Sequence, residues 1–332
     1  MATLKDVAKL ASVDVSTVSR ALNNTSYVHS ATKERIMKAV EELSYKPNLL
    51  AKGLRQGKRH TIAVICPTIN ISIFGEITQT LEQEARKLGY GVMVCTTSNE
   101  AVAEAACLNR LRTGFVDGIV IASTGENQHL LRDIKNDGIS ILQMIRRQDK
   151  TLSSVVGDYY TSAYDGVRYL VKKGCRNIGF INGLMDVIHY RERYRGYTNA
   201  MKEFGLEEHL AESIVPRVNY FNDGYKGAQS LAKKVAQLDA LMAANDLQGI
   251  GAIRALKELK IPVPQKIKVM SLTGLSIGGM LDNAMTSMEM PAKEMGVRIA
   301  RMIIEDIEAG PDDKPSLQHL VLPPTLIERE TT

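Results

Sequence analysis

Eight short apolar runs, separated by stretches with helical periodicity, occupy the chain from residue 61 onwards. Apolar strands that alternate with helices are typical of buried parallel sheets in doubly wound α/β domains. One sheet of that many strands is less expected than two, so the pattern predicts two sheets. The runs are TIAVICP, GVMVCTT, DGIVIAS, ISILQMI, SSVVGD, NIGFING, ALMAAND and KVMSLTG.

Length and composition indicate a chain of several domains. Its 332 residues are 44% hydrophobic, which allows a large core. No apolar run reaches the roughly 18 residues needed to span a bilayer, and charged residues stand where a signal peptide would be apolar. We therefore expect a cytoplasmic protein. Its cysteines lack close pairing and metal spacing, so we expect buried free thiols and neither metal nor cofactor; they are Cys66, Cys95, Cys107 and Cys175.

Positive charge is concentrated at the N-terminal end. The first 60 residues hold eleven Lys and Arg against five Asp and Glu, while the remaining residues are close to neutral. A small basic unit of this kind attracts polyanions.

Two short amphipathic patterns flank a turn in TLKDVAKLASVDVSTVSRALNN, residues 3–24. Thr3 and Asp6 have the spacing of a capping box, and Asp14 can cap a second helix whose small hydroxyl residues face outward. A third helical pattern begins at the predicted cap Ser30 and has the spacing to cover the first two. The arrangement is typical of a helix-turn-helix unit. The alternative is an ordinary three-helix bundle whose hydroxyl groups face solvent.

Three motifs, DVAKLA, TVSRALN and PNLLAKGL, occur here in the order and spacing of the LacI/GalR family of bacterial transcription regulators. The chain resembles that family over essentially its whole length. The resemblance implies that the second helix lies in the major groove of DNA, where Val15, Ser16 and Arg20 read bases. A valine can pack against a thymine methyl group, and an arginine can make a forked contact with guanine.

The resemblance also implies a set of phosphate contacts, which fix register without reading sequence. Asp14 departs from the usual serine of the family and sets a negative charge near the phosphates. The residues implied to contact phosphate are Thr3, Thr17, Ser19, Asn23, Tyr27 and Thr32.

The stretch PNLLAKGLRQGKR reads by composition as a basic linker. The resemblance implies a hinge helix from Asn48 to about Leu54 that orders only on DNA and pairs with the hinge of a dimer partner. Leu54, with Ala51 beside it, would then wedge into the minor groove and kink the DNA. The resemblance implies a homodimer on a palindromic operator, and the absence of a heptad zipper in PPTLIERETT favours a dimer over a tetramer.

For the body, the resemblance implies two similar subdomains joined by three crossovers, with an effector in the cleft between them. The crossovers are expected near residues 159–162, 287–292 and 318–324. The implied domains are a DNA-binding head (1–46), a hinge and linker (47–60) and an effector-binding and dimerisation domain (61–332). The N-subdomain spans about 61–160 and 291–320, and the C-subdomain about 161–288 and 321–332.

The cleft is expected at the carboxyl ends of the strands, where α/β sheets bind ligands. Arg193 matches the ligand arginine of the family, and helical spacing points it away from the face shared by Arg191 and Arg195. The ordinary alternatives are a solvated charge for Arg193 and a helix cap for Asn245 and Asp246. The residues implied to contact the effector are Ile73, Phe74, Arg193, Asn245, Asp246 and Thr273.

Two departures from the family fall where effector chemistry is decided. Thr273 replaces the aspartate that usually binds sugar hydroxyls, and Met290 replaces a common glutamine. The loss of a carboxylate near Arg193 removes a strong hydrogen-bond acceptor and leaves the site more positive. We expect a small carbohydrate-related effector that is anionic or phosphorylated rather than a plain sugar.

Two other classes of protein compete with a regulator. An enzyme is not favoured, because the sequence has no nucleophile elbow, phosphate-binding loop, zinc-protease motif or paired cysteine site. A binding protein for a transported solute is not favoured either, because an export signal is missing and a basic unit is attached. We predict a sequence-specific DNA-binding transcription regulator, a repressor, whose partners are operator DNA, a small-molecule effector and a second copy of itself, without a membrane partner.

Overall fold

The structure is a computed structural model that describes residues 2–23, 27–45, 58–212, 220–274, 276–310, 313 and 315–332. The chain divides into two compact units, residues 1–59 and 60–332. The predicted hinge residues Asn48, Ala51 and Leu54 lie outside the described residues. Their roles therefore stay predictions.

The described residues of the N-terminal unit, called the head below, form three helices: α1 (Leu4–Leu10), α2 (Val15–Asn23) and α3 (Ser30–Glu42). They share a small apolar core in which Val7, Val18 and Ile36 are fully buried. The predicted cap of α3 is wrong. Ser30 is already helical, and the preceding residue His29 is the N-cap, whose carbonyl oxygen accepts the first helical hydrogen bonds without a side-chain cap.

In residues 60–332, called the body, the part of the chain that the structure describes forms two six-stranded sheets. The strands are β1 (Thr61–Cys66), β2 (Gly91–Thr96), β3 (Gly118–Ile121), β4 (Ser140–Met144), β5 (Ser154–Gly157), β6 (Ile178–Asn182), β7 (His209–Glu212), β8 (Ala240–Ala243), β9 (Lys268–Ser271), β10 (Thr286–Glu289), β11 (His319–Leu322) and β12 (Thr325–Ile327). The strand order is β11-β5-β4-β3-β1-β2 in the first sheet and β12-β10-β9-β8-β6-β7 in the second. All neighbours pair in parallel except β10 and β12, which are antiparallel.

Helices cover both faces of each sheet. Neighbouring residues of β1 enter different cores, Val64 on one face and Ile65 on the other, and Phe180 and Ile181 do the same in β6. The predicted pair of doubly wound parallel sheets is therefore confirmed. The helices are α4 (Ser72–Lys87), α5 (Ala101–Arg112), α6 (Gln128–Asn136), α7 (Tyr159–Lys172), α8 (Ile188–Glu203), α9 (Tyr220–Lys234), α10 (Asp246–Glu258), α11 (Ser276–Gly279) and α12 (Ala292–Glu308).

The chain passes between the sheets at three places. These are Asp158 between β5 and α7, residues 290–291 between β10 and α12, and residues 323–324 between β11 and β12. The boundary predicted at residues 320 and 321 is wrong, because it cuts β11. That strand pairs in parallel with β5 as far as Leu322 and so belongs to the first sheet.

The strand at one edge of the first sheet is more exposed than the sequence predicted. The run GVMVCT forms β2, which is the outermost strand of the first sheet and is largely exposed, including Met93 and Val94. An apolar run does not by itself reveal whether its strand is central or at an edge. Consequently Cys95 is only half-buried, whereas the other three thiols are buried as predicted.

Candidate functional site

The outward face of α2 carries the three residues predicted to read bases. Val15, Ser16 and Arg20 are exposed, while Val18 and Ala21 are buried in the head core. The Arg20 guanidinium lies over Ser16, since Nε donates to its carbonyl oxygen and Nη2 to its Oγ, both at 3.3 Å. An exposed valine, hydroxyl and guanidinium thus form one surface with the chemistry that reads base-pair edges.

Thr3 and Asp6 fix the start of α1. The Thr3 hydroxyl donates to the Asp6 carboxylate at 2.7 Å, and the Thr3 backbone N–H donates to the same oxygen at 2.8 Å. In return the Asp6 N–H donates to Thr3 Oγ1 at 3.4 Å, so the predicted capping box is confirmed. These hydrogen bonds from Thr3 lower the pKa of Asp6. The hydroxyl predicted to contact phosphate is therefore exposed and held in place.

The other residues implied to contact phosphate lie around α2 and α3. Tyr27 is 88% exposed, whereas Thr17, Ser19 and Thr32 are half-buried. Asn23 is the last residue of α2. Their contacts with phosphate stay a prediction.

A cavity of about 30 Å³ lies between the two sheets of the body. Its walls are formed by residues that follow strands β1, β4, β5, β6, β7, β8 and β9, and hence lie on the side of the carboxyl ends, at which such sheets bind ligands. This space holds roughly two water molecules, so a larger ligand requires the sheets to separate. The lining residues are Ile71, Ile73, Phe74, Ile145, Arg146, Tyr159, His189, Tyr190, Arg193, Tyr220, Asn245 and Thr273.

Arg193 is buried, with 3% of its surface exposed. Its Nη2 donates to the Leu272 carbonyl oxygen and to the Thr273 hydroxyl, each at 3.1 Å, and its Cζ lies 4.7 Å from the centroid of the Tyr159 ring. Burial lowers the pKa of Arg193. The alternative of a solvated helix charge is therefore wrong. The prediction that Arg193 points away from the face shared by Arg191 and Arg195 is confirmed, since both of those arginines are exposed.

Five of the six residues predicted for the effector share this cavity. Asn245 also caps α10, because its Oδ1 accepts from the Gln248 N–H at 3.1 Å. The lining and capping roles thus coexist in one residue. Asp246 differs, since it does not line the cavity and its Oδ1 accepts from the Gly274 N–H at 3.2 Å behind the wall.

Sequence reasoning missed a second buried arginine. Arg146 is 3% exposed, and its Nη1 donates to Asn99 Oδ1 at 2.5 Å and to the Ser123 carbonyl oxygen at 3.4 Å. Burial lowers the pKa of Arg146. A signal was present, because an arginine directly follows the apolar residues at the end of β4, at the edge where ligands bind.

His189 lies beside both arginines and between two tyrosine rings. Its ring centroid is 5.4 Å from that of Tyr159 and 4.1 Å from that of Tyr190. Burial, together with the charges of Arg146 and Arg193, keeps the pKa of His189 well below its ordinary value. The imidazole is therefore neutral at pH 7. Burial also raises the pKa of Tyr159 to about 12, so its phenol keeps its proton.

Several polar atoms of the cavity wall lack a hydrogen-bond partner within the described part of the chain. Buried polar atoms are ordinarily paired, so a group of unpaired ones indicates a ligand site. The atoms in the wall are Arg146 Nε, Tyr159 OH, His189 Nδ1 and Arg193 Nε.

A wider pocket of about 500 Å³ adjoins this cavity and shares Ile145, Tyr159 and His189 with it. Arg147 and Arg195 also line the wider pocket, and both are exposed. The rings of Tyr159 and His189 therefore stand between the inner cavity and a larger space.

Comparison with known proteins establishes the family. Residues 3–48 match the model of bacterial regulatory proteins of the lacI family. Residues 59–328 match the model of periplasmic binding proteins and the sugar binding domain of the LacI family. The chain belongs to the LacI family. This LacI-family protein is accordingly a DNA-binding transcription regulator with a body of the sugar-binding type, and the resemblance seen in its sequence is confirmed.

Individual relatives agree over the full length. The HTH-type transcriptional regulator RegA of Clostridium saccharobutylicum is 30% identical over 336 residues, which cover 99% of this LacI-family protein and 98% of RegA. The lac repressor dimer bound to operator and an anti-inducer has a TM-score of 0.86 at 21% identity, covering 100% of this chain and 99% of that one. The complex of the transcriptional regulator CelR with cellobiose has a TM-score of 0.73 at 24% identity and covers 100% of both chains.

Two other kinds of feature are absent from the described residues. No helix among them is long and apolar enough to cross a membrane. No group of three or more His, Cys, Asp or Glu residues among them is arranged to hold a metal ion.

Proposed function

We propose that this protein is a cytoplasmic homodimeric repressor, not an enzyme, and that it binds a palindromic operator through α2. The exposed surface of Val15, Ser16 and Arg20 supports this, because it combines base-reading chemistry with an N-terminal unit, residues 1–59, in which the excess positive charge of the chain is concentrated. A dimer presents two such surfaces, which matches an inverted repeat. The residues proposed to position the head on phosphates are Thr3, Thr17, Ser19, Asn23, Tyr27 and Thr32.

In the proposed complex, Leu54 of each chain wedges into the minor groove at the centre of the operator. Asn48 and Ala51 act beside it in the same hinge segment. An inserted apolar side chain exchanges base stacking for a bent DNA that contacts more protein. This role comes from the family motif in the sequence, PNLLAKGL.

The controlling effector is proposed to bind between the two sheets of the body. The support is the cavity on the side of the carboxyl ends of seven strands, with buried polar atoms in its wall that lack a partner among the described residues. We propose a carbohydrate-related molecule, the class that cellobiose represents in the CelR complex. Since the cavity is small, effector binding changes the angle between the sheets, and this change is passed to the hinge. Such coupling joins two sites through an element with two states.

Selection of bound sequences from a random DNA pool tests this function. We expect the full-length protein to enrich a palindrome with a deformable central step. Arg20→Ala should weaken binding to that palindrome by about 1–3 kcal/mol and relax preference at one base position, because it removes a base contact. Arg35→Ala is the matched control, since Arg35 is an exposed arginine on α3 outside the proposed base-reading surface.

Enrichment that is equal for Arg20→Ala and wild type would contradict the assignment of α2. Binding without sequence preference that disappears as salt rises would contradict the regulator function as a whole, because it would show only general attraction to polyanions.

A further inference from the structure

The effector cavity presents hydrogen-bond donors and lacks a carboxylate. Among the described residues that line it, none is Asp or Glu, whereas two are arginines. Neutral sugars present many hydroxyl donors, which are best bound by acceptors such as carboxylates. A wall that offers donors instead fits a ligand that brings acceptors of its own.

Arg146 supplies the first of the two charges. Its hydrogen-bond partners in the described segments, Asn99 Oδ1 and the Ser123 carbonyl oxygen, are both neutral. The carboxylate of Glu104 acts on its charge. That carboxylate already accepts hydrogen bonds from the Ser123 hydroxyl, the Thr124 N–H and the Asn127 amide. Arg146 Nε is left without a partner in the described chain.

Arg193 supplies the second charge from the other subdomain. Its described partners, the Leu272 carbonyl oxygen and the Thr273 hydroxyl, are both neutral. Asp246 acts on its charge from behind the cavity wall, where the carboxylate accepts a hydrogen bond from the backbone of Gly274. Arg193 Nε also lacks a partner within the described residues. Each arginine therefore has an Nε–H available to a ligand. A buried charge is energetically costly when it lacks an opposite charge and hydrogen-bond partners.

We propose that the effector carries a carboxylate or phosphate group, and that this group is held between Arg146 of the N-subdomain and Arg193 of the C-subdomain. The proposal rests on the proposed function of the cleft as the effector site. Guanidinium groups bind such oxyanions through charge-assisted, often forked hydrogen bonds. The hydroxyl of Tyr159 and the imidazole of His189 lie in the same wall and supply further hydrogen bonds.

The two buried guanidinium groups lie in one cavity wall that excludes water, where like charges repel strongly. An anion between them converts this repulsion into two attractions. The oxyanion therefore stabilises the arrangement of the two subdomains that holds it, and a neutral analogue of the same shape does not.

Inorganic phosphate and acetate test the proposal as the smallest probes of the two oxyanions. Thermal unfolding of the full-length protein is followed while each probe is titrated against sodium chloride at equal ionic strength. We expect at least one probe to raise the unfolding temperature of the wild type, because a ligand that binds only the folded state stabilises it. Phosphate that acts alone indicates a phosphorylated effector, and acetate that acts alone indicates a carboxylic acid.

Variants separate specific binding from the general stabilising effect of phosphate, which all variants share. Arg146→Met should weaken probe binding about tenfold to a hundredfold, because it removes hydrogen bonds from a charged donor. Arg191→Met is the matched control on α8, since Arg191 is exposed and does not line the cavity. Its probe response should equal that of the wild type.

Arg146→Lys provides a second variant in case the methionine protein does not fold. It keeps the charge but loses the planar fork, so its probe response should fall between those of wild type and Arg146→Met. The proposal is overturned if neither probe stabilises the wild type more than it stabilises both Arg146 variants.

Binding of the protein to its selected operator, measured in parallel, distinguishes a failure of the oxyanion proposal from a failure of the proposed function. A protein that binds its selected operator but shows no response to either probe overturns the oxyanion proposal and leaves the regulator function intact. A protein that responds to a probe through Arg146 but selects no DNA supports the oxyanion site and contradicts the DNA-binding assignment.

Discussion

Arg193 donates from Nη2 to the Thr273 hydroxyl at 3.1 Å inside the cleft. The Thr273 hydroxyl in turn donates to the Ala244 carbonyl oxygen at 2.9 Å. A hydroxyl accepts a hydrogen bond without supplying negative charge. The threonine therefore positions the guanidinium while leaving its positive charge available to a ligand.

Thr273→Asp should reverse the ligand preference of the cleft. A carboxylate at this position pairs with Arg193 and competes with any external anion, so stabilisation by phosphate or acetate should fall about tenfold or more in apparent affinity. Thr273→Asn is the control, because it offers a neutral acceptor of similar size. Thermal titration with both probes measures the effect. An equal loss in the two variants would show that shape, not charge, controls binding.

Gly196→Ala should destabilise the body and disturb Arg193 one turn earlier on α8. A Cβ at this position would lie 2.2 Å from the Tyr160 carbonyl oxygen of α7, a backbone atom that cannot move aside cheaply. We expect a loss of about 1–3 kcal/mol in the free energy of unfolding, the usual cost of overpacking. Urea unfolding measures it. Gly279→Ala is the control, since its nearest atom is a flexible arginine side chain at 3.4 Å, and an equal loss there would contradict the steric argument.

Thr3→Ala should loosen the first turn of α1. It removes the hydroxyl that accepts from the Asp6 N–H and donates to its carboxylate. Loss of an N-cap costs about 0.5–2 kcal/mol, so amide exchange in residues 4–10 should accelerate while exchange in the body stays the same. Thr3→Ser keeps the hydroxyl and should exchange like the wild type. Similar acceleration in both variants would mean that the methyl group, not the cap, matters.

His189 should make the stability of the body depend on pH. Its pKa is well below 6.5 in the folded state, because burial and the neighbouring arginines disfavour the charged form. Below about pH 6.5 the unfolded chain binds a proton that the folded chain does not, so stability decreases as pH decreases. The contribution of one histidine approaches about 1.4 kcal/mol per pH unit.

Unfolding free energies measured from pH 7.5 to 5 check this prediction. His189→Gln should flatten the decrease, whatever its effect on stability at pH 7.5. His129→Gln replaces an exposed histidine on α6 and should leave the decrease unchanged. An unchanged slope in His189→Gln would contradict a neutral buried imidazole.

Local signals in the sequence were sufficient for the head. The capping box at Thr3 depends on residues three positions apart, and the exposure of Ser16 and Arg20 follows from helical periodicity. The two sheets were also predictable, because eight of their strands are distinct apolar runs separated by helices. The missed strands β7, β10, β11 and β12 have three or four residues each and obtain their conformation from neighbours in the sheet.

The cleft was only partly predictable. Arg193, Asn245 and Thr273 were placed by family motifs, and the structure brings them together in one wall. Asp246 was placed there too, but it lies behind that wall because its carboxylate is turned toward the Gly274 N–H. Motif position assigns a residue to a segment, whereas the direction of its side chain depends on contacts with other segments.

The sequence by itself determined the family, through three motifs in the order and spacing of its members. It also determined the two-sheet body and the exposed face of α2, because helical and strand periodicity and local caps act over a few residues. Only the tertiary structure decided that Arg146 and Arg193 share one cavity. They are separated by many residues in the chain and lie in different subdomains. Their proximity depends on how the two sheets are placed by the three crossings. The positive charge of two guanidinium groups, without a carboxylate in the described cavity wall, is therefore a property of the assembled cleft.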